Sequence, residues 1–339
     1  MIVLTHRVVR DVLDGRESDV IDAVRNAYLQ HSRGVTALPH SVFLRFPDRE
    51  SDRIIALPAY LGGAGEVAGI KWISSFPGNI RHGRERASAA IVLNSMQTGQ
   101  PTALLEGSVI SARRTAASAA LAASVLAAES DPGGVTLVGC GVINFEVLRF
   151  LRVVHPALAT VILYDRHPDR AHAFAARVRA ELVPSTVVVA EDLGSALAAS
   201  TLVSIATTAA TPYLDTALLR PGTLVLHLSL RDILPAGILA GTNVVDDADH
   251  VCRASTSLDL AERQTGSRSF ISSSIGDILN THGKESRRTD RATIFSPFGL
   301  GILDLAVAEL VRQGAEAAGL GIRIDDFLPD VALPAGRAG

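Results

Sequence analysis

The stretch Val135–Val154 limits what this chain can fold into more than any other. Val135–Val138 is a short, apolar, β-branched run bounded by Gly133-Gly134 and Gly139, as a buried parallel strand requires. From Phe145 the period changes, and Phe145, Leu148, Leu151 and, one turn on, Val154 recur at helical spacing. Between strand and helix lies Gly139-Cys140-Gly141-Val142-Ile143-Asn144. Gly139 permits a tight turn, and Gly141 lets backbone amides approach a pyrophosphate, which a helix N-terminus attracts. A second strand, Val161–Tyr164, ends at Asp165, 24 residues beyond Gly141. A carboxylate at that distance suits an adenosine ribose 2′-hydroxyl and disfavours a 2′-phosphate. Gly-x-Gly alone fits any tight strand-to-helix turn, and Asn144 stands where a third glycine is usual. The strand–turn–helix context and Asp165 favour a dinucleotide, with NAD preferred over NADP.

The composition sets outer bounds. A chain of 339 residues predicts about two domains. Hydrophobic residues at 47% and charged residues at 20% permit a sizeable core. A net charge of −3 argues against a nucleic-acid partner. The longest apolar run, Ala116–Ala128, is alanine-rich, broken by serines and too short to span a bilayer. No signal-peptide pattern opens the chain. Cys140 and Cys252 are far apart, which fits a reduced, cytoplasmic protein, and neither they nor the scattered histidines show metal-ligand spacing.

An amphipathic helix is expected over Ser18–His31. Strands are expected around Ser41–Phe46, Arg53–Tyr60, Glu66–Ser74, Ser88–Asn94 and Ala103–Glu106, forming an antiparallel or mixed sheet. A helix over Ser111–Ala128 leads through Asp131-Pro132-Gly133-Gly134 into alternating strands and helices. Those strands fall at 135–139, 161–165, 186–190, 201–206, 223–228 and 243–246, the pattern of a doubly wound parallel sheet. Gly283–Arg291 reads as a polar surface loop, a last helix runs from Gly299 to about Ala317, and a loose tail follows around Pro334 and Gly336. The fold class is α/β: a Rossmann domain over 116–304, and an α+β substrate-binding and dimerisation domain over 1–115 completed by 305–339.

Several side chains conflict with their surroundings. Alternation puts Lys71 on the face that carries Val67 and Ile73, where it needs an anion or a task, unless it points to solvent from an edge strand. Arg45 interrupts an apolar strand with the same two readings. Arg113-Arg114-Thr115 opens the Ser111–Ala128 helix, where cations oppose the helix dipole and a bound anion would remove the conflict; the alternative is a pair of exposed arginines. Asp232 follows a strand and suits either a general base or a helix N-cap. Gly299 and Gly301 precede the last helix, allowing close approach to a nicotinamide or simply tight packing. Asp246-Asp247 reads as capping.

Lys71 in Gly-Ile-Lys, Arg114-Thr115-Ala116, Gly139-Cys-Gly141, Asp165 and Ser296-Pro-Phe-Gly299 together resemble the ornithine cyclodeaminase/μ-crystallin family, in its order and over nearly the whole chain. The resemblance implies a homodimer with a small amino-acid substrate. It implies that Arg45, Lys71 and Arg114 hold substrate carboxylate and that Lys71 and Asp232 carry the proton chemistry. It places NAD against Arg114, Thr115, Gly139, Gly141, Val142, Ile143, Asp165, Thr207, Ser229, Ser296 and Gly299. Finer strings, such as Lys71–Asn79 and His227–Asp232, look like one branch that oxidises N-(2-amino-2-carboxyethyl)-L-glutamate to 2,3-diaminopropionate and 2-oxoglutarate, for siderophores or peptide antibiotics. Ornithine cyclodeaminases typically have glycine before the aspartate, whereas this chain has Arg231, which implies a further substrate carboxylate. The family also offers redox-neutral cyclodeaminases, simple imine reductases or amino-acid dehydrogenases, and nucleotide binders without turnover; retention of Lys71, Arg114 and Asp232 argues against the last.

Overall fold

The computed structural model describes residues 1–127, 132–182, 186–281 and 289–329. Ala128, Asp131, residues 283–288 of the expected loop and the tail around Pro334 and Gly336 lie outside them. The first part runs β1 (Ile2–Leu4), α1 (His6–Leu13), α2 (Glu17–Ser32), β2 (Thr36–Ala37), β3 (Val42–Phe46), β4 (Arg49–Leu61), β5 (Val67–Ser75), β6 (Ala87–Asn94), β7 (Pro101–Glu106) and α3 (Ser108–Leu126). The second runs β8 (Gly134–Val138), α4 (Val142–Val154), β9 (Thr160–Tyr164), α5 (Pro168–Glu181), β10 (Thr186–Val189), α6 (Leu193–Ala199), β11 (Leu202–Ile205) and β12 (Leu224–His227). It continues through α7 (Pro235–Ala240), β13 (Thr242–Val245), α8 (Ala248–Val251), α9 (Ser257–Thr265), β14 (Ile271–Ser274), α10 (Ile275–Asn280) and β15 (Thr293–Ser296). The chain then returns to the first part with α11 (Gly301–Ala317) and β16 (Ile322–Arg323).

The first sheet has the order β16-β1-β7-β6-β5-β4-β2, with β3 also on β4. It is mixed: β4 to β7 are antiparallel neighbours, while β1 pairs with β7 in parallel. Strand alternation gives it two unlike faces. In register, Leu57, Lys71 and Ile91 lie side by side on the face covered by α11, where Gly301 packs against Leu57 and Ala59. The opposite face carries Leu44, Ile54, Ile70 and Trp72, and Val42, Leu44 and Trp72 are exposed there. The helical period of α2 is realised, with Val20, Ile21, Val24, Ala27 and Tyr28 buried on one side.

The second sheet is parallel throughout, in the order β10-β9-β8-β11-β12-β15-β13-β14, so the six expected strands are present and form a doubly wound fold. The strand order reverses between β8 and β11, which opens a crevice at their carboxyl ends. Helix α3 connects the two parts and packs against α4, α2 and α11. Ala116, Ala117, Ala119, Ala120, Ala122 and Ala123 are fully buried along it, which explains the alanine-rich run: small side chains let its neighbours pack closely.

One expectation is corrected here. Helix α3 begins at Ser108, not Ser111, so Arg113 and Arg114 sit in its second turn. The anion at its start is the chain's own Glu106, which accepts from the backbone of Ser108 (2.7 Å) and Val109 (3.2 Å). Arg113 turns away from the cleft and pairs with Asp14 and with Glu146 at 3.7 Å. The crowding around α3 predicts that Ala119→Leu destabilises the fold by about 1–3 kcal/mol. Chemical denaturation measures that loss; an unchanged midpoint would mean that α3 has slack around it.

Candidate functional site

The turn after β8 is a cradle of backbone amides. Gly139 adopts φ +93, and a Cβ there would meet the Ala206 carbonyl oxygen at 2.4 Å, so only glycine lets β8 and β11 approach this closely. Asn144 takes the usual third glycine's place for a structural reason. Fully buried, it donates to the carbonyls of Val138 (2.9 Å) and Gly139 (2.7 Å) and accepts from the Ser204 hydroxyl (2.7 Å), bracing the turn. Gly141 caps α4 in extended conformation without a side-chain partner, and open space surrounds its Cα. The first amides of α4, from Val142 and Ile143, therefore lack a side-chain cap. Asp165 follows β9, its oxygens accepting from the Cys140 and His167 amides, each at 2.9 Å. Burial pushes the Cys140 thiol up to about 12, so the cysteine inside the turn is no nucleophile.

The second cluster lies where the two parts meet. Lys71 on β5 donates to Asp304 Oδ2 at 2.6 Å, and Arg114 Nε on α3 donates to Asp304 Oδ1 at 3.0 Å. All three are buried, Asp304 completely. Lys71 also reaches the Ser111 hydroxyl at 3.3 Å. Gly299 sits directly against the guanidinium, where a Cβ would lie 2.6 Å from Arg114 Nη1; Gly299 thus makes room for Arg114 and Gly301 packs on β4. Asp246 holds this loop by accepting from the amides of Phe298 (2.8 Å) and Gly299 (2.7 Å), while Asp247 N-caps α8 as expected. Thr115 donates to the Ser111 carbonyl at 2.7 Å. Burial pushes the Lys71 ammonium down to about 8, with Asp304 opposing that shift and Arg114 adding to it.

The third cluster closes the carboxyl end of β12. Asp232 is fully buried and accepts from the hydroxyls of Thr207 and Ser229, with His227 Nε2 at 3.4 Å. His227 Nδ1 in turn lies 3.1 Å from the Ser296 hydroxyl. Helix α7 starts at Pro235 with Leu234 as its cap, so the N-cap alternative for Asp232 falls. Burial pushes this carboxyl up, but His227, Ser229 and Thr207 outweigh it and hold it below the usual range. Beside it Leu230 adopts φ +67, unusual for a branched side chain. Arg231 follows, half-buried, donating to the Ala254 carbonyl at 2.8 Å. Burial, and then the positive charge of nearby Arg45, exposed on β3, push the Arg231 guanidinium down, with Asp232 opposing.

The structure therefore brings Lys71, Arg114 and Gly299 together, links Asp232 with Thr207, Ser229 and Ser296, and gathers Gly139, Gly141, Val142, Ile143 and Asp165 at one turn. The segment 296–304 carries parts of both the second and the third cluster. Sequence reasoning missed Asp304, although a carboxylate among Ile302, Leu303, Leu305 and Val307 was a legible signal. It also missed His227 and the bracing role of Asn144.

A family model described as "Ornithine cyclodeaminase/mu-crystallin family" matches residues 3–319. The chain belongs to the ornithine cyclodeaminase/mu-crystallin family. Within it, N-((2S)-2-amino-2-carboxyethyl)-L-glutamate dehydrogenase of Staphylococcus aureus is 28% identical over 92% of this chain and 94% of that protein. The crystal structure of CmnK superposes with a TM-score of 0.88 at 27% identity, covering 97% of this chain and 99% of its own. An archaeal alanine dehydrogenase dimer with bound NAD superposes at 0.85 with 25% identity, covering 96% and 99%.

Asp304→Asn would leave two buried cations without their shared anion. The expected cost is about 3–5 kcal/mol of stability, read by denaturant titration at neutral pH. A loss under about 1 kcal/mol would show that the pair is solvated in the folded protein.

Proposed function

We propose that this protein is an NAD-dependent dehydrogenase that oxidatively cleaves N-(2-amino-2-carboxyethyl)-L-glutamate to L-2,3-diaminopropionate and 2-oxoglutarate, a step that serves siderophore or peptide antibiotic biosynthesis. The observation that carries the reading is Arg231 beside Arg45, close enough for their charges to interact, at one end of the sheet face that also carries Lys71. One carboxylate needs one such clamp; this much positive charge suits a substrate with several. Similarity to the staphylococcal enzyme supports the same substrate, and the NAD-bound archaeal relative supports the cofactor.

The turn after β8 fits a dinucleotide on its own geometry: a close-packed Gly139, uncapped amides at Val142 and Ile143, open space at Gly141, and Asp165 positioned for a ribose hydroxyl. Held there, NAD⁺ would supply the hydride acceptor that takes the glutamate Cα–N bond of the substrate to an imine. The chain's residues do the rest. Arg114 and Lys71 fix the α-carboxylate and thereby aim the C–H bond. Arg231 and Arg45 hold the outer carboxylates. The secondary amine must lose its proton first. Water then adds to the imine carbon, the C–N bond breaks, and the diamino acid leaves as the amine. Asp232, kept ionised by its three neighbours, takes the proton of that water or holds it through Ser229 and Thr207. The apolar face of Leu44, Ile54, Ile70 and Trp72 supports a homodimer, as in the archaeal relative.

The assay is NADH formation from N-(2-amino-2-carboxyethyl)-L-glutamate, with one NADH expected per 2-oxoglutarate. A redox-neutral conversion of ornithine, without NADH accumulating, would instead assign a cyclodeaminase. Arg231→Ala is expected to raise KM for that substrate about 10- to 100-fold with a smaller change in kcat; an unchanged KM removes Arg231 from the substrate site. The depressed Lys71 sets a pH limit: carboxylate binding needs its cation, so affinity should be full below about 8 and weaken as pH rises through it. A binding titration with glutarate across that range checks the sign.

A further inference from the structure

The face of the first sheet that carries Lys71 continues beyond it, and its far end is arginine-rich. Ser75 lies four residues along β5 from Lys71, about 13 Å at strand rise, and on the same face. Arg53 is the direct partner of Ser75 on β4, and Arg45 is the direct partner of Arg53 on β3. Arg86, just ahead of β6, donates to the Ser75 hydroxyl at 2.7 Å. Guanidiniums from β3, from β4 and from just ahead of β6 therefore gather at one end of this face, and Arg231 approaches from the other sheet, its charge acting on Arg53 and that of Arg45 acting on it.

This arrangement runs against the chain's own interest. Like charges directly opposite on neighbouring strands are destabilising. Arg53, Arg86 and Arg231 are each half-buried, so water screens them incompletely. Among the described residues, none of the four forms an ion pair with a carboxylate, although every other interior cation of the cleft has one in Asp304. The neighbouring charges of Glu85 and Asp232 favour the cations of Arg86 and Arg231 respectively. Burial and mutual repulsion depress the cationic form of Arg53. Arg231 is nevertheless fixed in place, through the left-handed backbone of Leu230 and a hydrogen bond to the carbonyl of Ala254, itself at φ 56. Backbone strain maintained to present a cation to other cations indicates that the missing partner is an anion brought from outside.

We propose that Arg53 and Arg86, with Arg45 and Arg231, form a distal anion subsite that spans both sheets and selects substrates carrying carboxylates beyond the α-carboxylate held at Lys71 and Arg114. Arg53 and Arg86 are thus specificity-determining residues. The subsite deepens the dehydrogenase reading, on which it rests for the identity of the substrate. It also gives the two sheets a reason to close: an anion lying between Arg231 and the β3–β4 arginines attracts both sides, whereas without it they repel.

The test uses the full chain saturated with NAD and two non-reacting acids, tricarballylate and propionate, titrated calorimetrically. The wild type is expected to bind tricarballylate more tightly. Arg53→Gln/Arg86→Gln is expected to weaken tricarballylate about 10- to 100-fold while leaving propionate within about twofold, and Arg53→Lys/Arg86→Lys to fall between. In turnover, KM for N-(2-amino-2-carboxyethyl)-L-glutamate should rise by a similar factor with kcat much less affected. Equal weakening of both acids, unchanged tricarballylate binding, or no preference in the wild type overturns the subsite. If the wild type makes no NADH from that substrate, the proposed activity falls by itself, and the tricarballylate titration still decides the subsite.

Discussion

The carboxylate of Asp304 is the constraint around which the rest is arranged. It lies in α11 with no exposure to solvent and bridges a lysine from β5 and an arginine from α3. Two buried cations and one buried anion leave a net positive charge in the site. Fully neutralised, the pair would have no reason to attract a substrate anion; without Asp304, each cation would bear its desolvation cost alone. The compromise shows in Lys71, whose ammonium is held near 8, charged at neutral pH yet able to give up its proton. Gly299 and Gly301 serve the same end, since side chains there would displace Arg114 or lift α11 off β4.

Much of this was legible where a period or a chemical conflict marked it. The six parallel strands expected from the sequence are dominated by β-branched and apolar residues, and α2 keeps a strict helical stripe. Lys71 was conspicuous because alternation placed a charge on an apolar face. What escaped has physical reasons. β14 reads Ile-Ser-Ser-Ser and β15 Thr-Ile-Phe-Ser: four residues each, too short and polar to be distinguished from loop. β1 and α1 are similarly brief. The start of α3 was placed a turn late because its cap comes from Glu106, two residues ahead of the helix, and not from a Ser or Thr at the N-cap position. Asp304 escaped because a carboxylate in a helix is ordinary until the partners that bury it are known, and those lie 233 and 190 residues away.

The two sheets divide the work. The parallel sheet contributes a generic crevice, in which a turn, a helix start and a carboxylate are set by backbone geometry alone. The mixed sheet contributes charge at chosen positions, set by strand register: Lys71 beside Leu57, Arg53 beside Ser75, Arg45 beside Arg53. A shift of one residue in β4 would turn Arg53 to the outer face, where Trp72 and Leu44 now lie. On the proposed function, substrate choice is set by this pairing and not by the crevice.

The first sheet is finished by the last described strand. β16 pairs with β1, the amino group of Met1 donates to the Ile324 carbonyl at 2.9 Å, and α11 covers β4 and β5. On a ribosome, synthesis runs from the first residue to the last, and domains generally fold as they emerge. Here the parallel sheet can assemble while the strands made before it still lack an edge and a cover. Lys71 and Arg114 wait, solvated and unpaired, until α11 delivers its carboxylate. The site thus matures late in translation, since a chain that had emerged only as far as β15 would hold a finished crevice beside an uncovered sheet.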